Sequence, residues 1–266
     1  MFGNDSESKW VNSHQALLAQ ALGWVLWSGR KCLGFEVTVS GASTDAILAG
    51  RDPVLVLARH GGPGDSFVMV HLLLTRYHRR VRIVLKDILQ LDPVIDVLLN
   101  RLQCCFLPSA TGATDEGLTH RLGQIAGELD FGEALLLFPE GANWTPIRRR
   151  RAIHHLREGH EPDKVKAAAL MTNVLPPRTG GVFACLDARP GLDVVLAAHA
   201  GLDKIVRPGQ AWARLPLATP MTVRFWPAAE APQLKGDRVS WLTMEWATVD
   251  QWVEGYHAGA FDTPDR

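Results

Sequence analysis

Residues 54–74, VLVLARHGGPGDSFVMVHLLL, decide the fold. Val54 to Ala58 form a short apolar run that reads as a buried strand, and Phe67 to Leu74 carry apolar residues at helical spacing. Gly61-Gly62-Pro63-Gly64 between them break any regular element, so the stretch predicts a loop from a strand end to a helix start. His60 and Asp65 stand five apart across that loop, a spacing that one helix face would not bring together. The glycines let the chain fold back, which predicts a His-Asp pair with Asp65, beside Ser66, at the helix N-cap. A carboxylate on one imidazole nitrogen fixes the tautomer and leaves the other nitrogen to take a proton, the geometry of a general base.

Spacing alone carries little. With 10 His and 17 Asp in 266 residues, chance gives about 0.6 such pairs per chain. His257 and Asp262 repeat the spacing in a polar C-terminal stretch with no strand before it and are set aside. Support for His60 has to come from elsewhere in the chain.

Outward from this loop, strand patterns recur at 35–41, 54–58, 81–86, near 104–107, and at 134–138, 193–199 and 221–226. Helical patterns fall between them at 66–78, 94–102, 115–129, 148–157 and 163–172, with another at 239–255. The alternation predicts an α/β single domain: a mixed, largely parallel central sheet flanked by helices, with ligands beyond the carboxyl ends of the strands. The segments MFGNDSES (1–8) and TPDR (263–266) are expected to fray.

With 47% hydrophobic residues and zero net charge, the chain can bury a sizeable core, and its balance argues against nucleic-acid binding by bulk charge. Cys32, Cys104, Cys105 and Cys185 show no metal spacing, and adjacent Cys104 and Cys105 make an unsuitable structural disulfide, so a reducing compartment is expected. No run reaches the roughly 18–20 apolar residues of a membrane span, and the first residues show no charged-then-apolar segment with a small-residue cleavage site, so a protein neither secreted nor membrane-spanning is expected. ALLAQALGWVLW (16–27) predicts an N-terminal amphipathic helix over residues 1–31; Trp24, Trp27, Arg30 and Lys31 suit a lipid surface, and burial of its apolar face against the protein is the competing reading.

Two further stretches leave apolar segments in the same way. LLLFPEGANWTP (135–146) places Glu140 and Gly141 at a strand end, and the tetrapeptide FPEG is expected by chance only about 0.002 times in such a chain. NVLPPRTGG (173–181) uses prolines to hold an extended segment that puts Arg178 before a glycine pair. The order His60-x4-Asp65, Phe138-Pro139-Glu140-Gly141, Leu175-Pro176-Pro177-Arg178 resembles the glycerolipid acyltransferase family, the enzymes that acylate lysophosphatidic acid and related lysophospholipids. The likeness covers roughly residues 35–230, and the third segment is most similar to the branch containing lysophosphatidate and lysocardiolipin acyltransferases.

The resemblance implies an acyltransferase domain over 32–266 that moves a fatty acyl group from acyl-CoA or acyl carrier protein to a glycerol hydroxyl of a lysophospholipid, without cofactor or metal. His60 would be the base and Asp65 its partner; Glu140 and Gly141 fall in the acceptor-binding block, and Arg178 in the block that shapes the donor site. Backbone amides of Gly61 and Gly62 are candidates to stabilise the oxyanion. The expected location is peripheral, on the cytoplasmic face of a membrane. The family usually carries an arginine after the Glu-Gly-Thr triplet, where this chain runs Glu140-Gly141-Ala142-Asn143, and another near CCFLPS (104–109), where this chain has Pro108 and Ser109. Both are expected to hold the acceptor phosphate. Arg148 and Arg149, in the run Arg148 to Arg151, are candidates to replace them beside Asn143, and an acceptor without phosphate is the alternative.

Rival histidines fit less well. His154, His155 and His160 lack a metal-pairing spacing, His71 reads as structural, and His199, at a strand end, is the one other histidine kept as functional. No G-x-S-x-G turn supports a serine hydrolase. A catalytically silent acyl-CoA or lipid-binding protein with the same fold remains the reading from a different class.

Overall fold

The computed structural model describes residues 4–40, 45–62, 64–86, 105–107, 115–201, 220–232 and 235–259. Its strands are β1 (Val37–Ser40), β2 (Val54–Ala58), β3 (Arg80–Lys86), β4 (Cys105–Leu107), β5 (Glu133–Leu137), β6 (Asp193–Ala200) and β7 (Met221–Pro227). The helices are α1 (Asn4–Leu33), α2 (Asp45–Ala49), α3 (Asp65–Thr75), α4 (Asp115–Gly127), α5 (Pro146–Glu158), α6 (Pro162–Leu170), α7 (Thr179–Ala188) and α8 (Lys235–His257). The strands form one seven-stranded sheet in the order β1-β7-β6-β2-β5-β3-β4. Every pairing is parallel except β6 with β7. This is the mixed, largely parallel sheet flanked by helices that the alternating pattern predicted.

Strands β2 and β5 are buried along their whole length, as expected of central parallel strands covered on both faces. Alternate side chains divide between two apolar layers. Leu55, Leu57, Leu135 and Leu137 join a layer with Leu122 of α4, Val182 of α7 and Trp246 of α8. Val54, Val56, Ala134 and Leu136 join the opposite layer with Leu18 and Leu22 of α1 and Met69 and Leu73 of α3.

Helix α1 buries Val11, Gln15, Leu18 and Leu22, a stripe at three- and four-residue steps. Within that stripe the Gln15 side chain accepts from the Val81 amide at 3.2 Å, so its polar end is satisfied against β3. The helix begins at Asn4, so residues 4–8, expected to fray, are helical, and it runs on to Leu33. The C-terminal helix also runs further than its pattern, and His257 closes α8 instead of lying in a tail. Asp262, residues 263–266 and the helix expected at 94–102 lie outside the described residues.

Helix α7 has no counterpart in the sequence reading, which took 173–181 as an extended segment ending in the glycine pair. Here the missing side chains serve packing. A Cβ on Gly181 would come within 2.7 Å of Leu122 Cδ1, and one on Gly123 within 3.3 Å of the Ala184 carbonyl oxygen, so glycines let α4 and α7 approach closely.

Candidate active site

Three adjacent strand ends build the site. Strand β2 runs into Arg59-His60, β5 into Phe138-Pro139-Glu140-Gly141, and β6 ends at His199-Ala200. Leu57 lies opposite Leu137 and Ala58 opposite Ala197. Carrying those registers forward sets His60 between Glu140 on one side and His199 on the other.

The predicted pair forms. His60 Nδ1 lies 2.9 Å from Asp65 Oδ2 and 3.1 Å from Oδ1. Asp65 is the first residue of α3 and not its N-cap; the cap is Gly64, whose φ of 89° turns the chain so that the carboxylate faces back toward the loop. The amides of Gly62 (3.1 Å) and Ser66 (2.6 Å) donate to it. His199 Nε2 also reaches Asp65 Oδ2, at 3.1 Å. Asp65 is thus a buried carboxylate between two imidazoles. Burial alone would raise its pKa, but the hydrogen bonds and charges of His199 and His60 outweigh it and hold the carboxyl well below the usual range. His60 itself is only partly buried and packs on the Phe138 ring, with ring centroids 4.8 Å apart.

Glu140 sits on the far side of His60 and is buried. Its Oε1 accepts from the His60 amide at 2.9 Å and its Oε2 from the Leu175 amide at 2.8 Å. Burial pushes its carboxyl up to about 8, against the lowering effects of Arg59 and the two backbone donors. Both oxygens are engaged with backbone, so Glu140 braces the three motif segments where the sequence reading expected acceptor binding. Two more backbone bonds reinforce the brace: the Trp144 amide donates to the His60 carbonyl (2.7 Å), and the Arg178 amide to the Pro139 carbonyl (2.8 Å).

Arg59, which sequence reasoning passed over, ties the rear of the site. It is fully buried, and its guanidinium donates to the His199 carbonyl at 2.6 Å and to the Asn173 carbonyl at 2.9 and 3.1 Å. The signal for it was its place directly after an all-apolar strand, where a charged side chain has to find partners inside.

The remaining candidates divide. Arg178 is exposed and lies over Gly141: a Cβ there would come within 2.9 Å of its Nε. Arg148 is exposed on the first turn of α5 and bonds the Asn143 carbonyl at 3.1 Å, so Arg148 and Asn143 stay together near the turn after β5. Arg149 turns away; it donates to the carbonyls of Met171 (2.6 Å), Ala169 (2.9 Å) and Ala168 (3.2 Å) and closes the end of α6. The oxyanion expectation also meets a different geometry. The Gly62 amide donates to Asp65, and the Gly61 amide faces His199 Nε2 at 3.4 Å, so both point into the protein.

The family model described as Acyltransferase matches residues 36–199, the span that holds His60, Asp65, Glu140 and His199. The chain belongs to the acyltransferase family. The resemblance read from its motifs is borne out. Its fold is similar to that of the 1-acyl-sn-glycerophosphate (LPA) acyltransferase PlsC from Thermotoga maritima, with a TM-score of 0.56 over 97% of this chain and 84% of that one. At 13% identity that likeness is one of fold. No curated protein matches the chain by sequence. What sets this acyltransferase's site apart within its own structure is the second imidazole on Asp65.

Proposed function

We propose that this acyltransferase moves a fatty acyl group from acyl-CoA or acyl carrier protein to a glycerol hydroxyl of a lysophospholipid such as lysophosphatidic acid, with His60 as general base. The observation that carries the reading is the His60 Nδ1 contact with buried Asp65 at 2.9 Å, which leaves Nε2 open. Asp65 holds the imidazole with its proton on Nδ1 and stabilises the cation that forms during the reaction. As the acceptor oxygen attacks the thioester carbonyl, Nε2 takes the hydroxyl proton. The new C–O ester bond forms, the C–S bond breaks, and the same proton passes from His60 to the departing thiolate. No covalent enzyme intermediate and no metal enter. Arg148 and Arg178, both exposed near the turn after β5, are the cations offered to acceptor or donor phosphates.

The test is transfer from radiolabelled acyl-CoA to glycerol-based acceptors with and without a head-group phosphate, by the wild-type protein and the His60→Ala variant. Transfer to the phosphate-bearing lysolipid, reduced at least about 10³-fold in the variant, is expected. Unchanged turnover in His60→Ala would sink the reading. Transfer confined to acceptors without phosphate would mean that Asn143 marks a changed specificity.

The reading also places the protein peripherally on the cytoplasmic face of a membrane. The outer face of α1 exposes Leu17, Trp24, Val25 and Trp27, Trp24 to 68%, and Arg30 and Lys31 close its last turn. No helix among the described residues is long and apolar enough to cross a bilayer. Replacing Trp24 and Trp27 together by alanine is expected to weaken cosedimentation with anionic phospholipid vesicles about tenfold or more, with thermal stability unchanged. Equal binding by the double variant would remove α1 as the lipid contact.

A further inference from the structure

His199 is the unexplained part of the site. It is 1% exposed and one strand over from His60. Its carbonyl is held by Arg59 at 2.6 Å, and Gly61 leaves it room, since a Cβ there would come within 2.8 Å of the ring. Its Nε2 meets two groups: Asp65 Oδ2 at 3.1 Å and the Gly61 amide at 3.4 Å. One nitrogen cannot donate to the first and accept from the second with one protonation. Asp65 is a carboxylate already accepting from His60 and two amides, so it offers only acceptor sites. The shorter contact is attractive only when Nε2 carries the proton. Nδ1 is then the bare nitrogen, buried and without a hydrogen-bond partner among the described residues.

We propose that His199 is a positioning residue that acts on His60 through Asp65, by donating its Nε2 proton to the carboxylate oxygen that lies closest to His60 Nδ1. This rests on the general-base reading of His60 given above. The donation has two effects. It adds a side-chain tether that stops the carboxylate from turning away from His60. It also shares the carboxylate charge between two imidazoles, which lowers the pull of Asp65 on the imidazolium form of His60 and keeps the neutral base available at lower pH. His199 exchanges no proton with substrate. Among the described residues, the charged and titratable groups bonded to this trio from outside it are Arg59 from the end of β2, on the His199 carbonyl, and Glu140 from the turn after β5, on the His60 amide. Their residues are unchanged in the variants below, so a shift between variants reports the His199 donor.

The sign follows from the geometry. Without the donor, Asp65 stabilises the His60 cation more strongly, and the acid limb of the rate profile moves to higher pH. His199→Phe removes the donor and roughly keeps the volume; His199→Gln restores an N–H at a similar reach. With acyl-CoA and lysophosphatidic acid, the expected result for His199→Phe is an acid limb of kcat/KM raised by about 0.5–1 pH unit and a kcat about tenfold lower at the plateau. His199→Gln is expected to bring the limb back. Equal losses in both variants with the limb unmoved would assign His199 to structure alone and overturn the proposal. A second reading needs neither turnover nor a variant that folds. In the ¹⁵N-labelled wild-type protein, the His199 ring is expected to show a protonated Nε2 and a bare Nδ1; the opposite tautomer overturns the proposal. If the wild type transfers nothing to any acceptor, the proposed reaction fails, and the His199 tautomer and the pH course of the His60 ring signals, wild type against His199→Gln, still decide the linkage.

Discussion

Asp65 and Glu140 stand on opposite sides of His60, and both are buried, yet the protein displaces their carboxyl groups in opposite directions. The difference lies in what donates to each. Asp65 accepts from two imidazoles as well as two backbone amides, and the side chains of His199 and His60 offset the cost of burying its charge. Among the described residues Glu140 accepts only from backbone amides, with Arg59 acting on it as a charge, and burial wins. One carboxyl therefore keeps its charge beside two imidazoles. The other ties three chain segments together, and its charge is secondary to its shape. Two buried carboxyls on either side of one histidine are thus displaced in opposite directions, the one bonded to imidazole rings downward and the one bonded to backbone amides upward.

The largest effect that sharpens this contrast is expected from Asp65→Asn. An amide in place of the carboxylate cannot keep the His60 Nδ1 proton in place, and its NH2 meets a donor on one side. Transfer should fall about 10³- to 10⁴-fold, with the protein still folded. Glu140→Gln, by comparison, keeps one of two backbone bonds and touches neither imidazole ring, and it should lower the rate far less. Comparable losses in the two variants would erase the distinction and make Glu140 part of the chemistry.

Much of this was legible because the chemistry is local or lies at strand ends. Asp65 lies five residues from His60, and the glycines between them announce the fold-back. Strands β2, β5 and β6 read directly because a central parallel strand buries both faces and so appears as an unbroken apolar run. What the sequence did not show depended on register or on distant partners. The role of Glu140 is set by amides at positions 60 and 175, and Arg149 was drawn away by carbonyls about twenty residues on, at 168, 169 and 171. Helix α7 was hidden because Gly180 and Gly181 follow two prolines and read as the end of an extended segment, whereas Gly181 lacks a side chain so that α4 can come close. His199 was kept for its strand end, but its meeting with Asp65 required the parallel pairing of β6 with β2.

The smallest effect is also the most discriminating, because it reads stability apart from rate. The raised carboxyl of Glu140 binds a proton more tightly in the folded protein than in the unfolded chain. Its contribution to stability is then fully present below the ordinary glutamate value of 4.5 and is lost as pH rises through about 8. Asp65 has the opposite sign: its contribution is present above its ordinary value of 3.8 and is lost as pH falls through its depressed one. Urea unfolding of wild type and Glu140→Gln between pH 5 and pH 8 isolates the first of these, since the other titrating groups are common to both proteins and drop out of the difference. At pH 5 the variant should be less stable by about 1–3 kcal/mol, the cost of setting an amide NH2 against one of the two backbone donors. The gap should narrow toward pH 8, as the wild type alone loses the stabilisation tied to its proton. A gap that stays constant across that range would mean that Glu140 is ionised throughout, and the opposition between the two carboxyls would reduce to a difference in geometry.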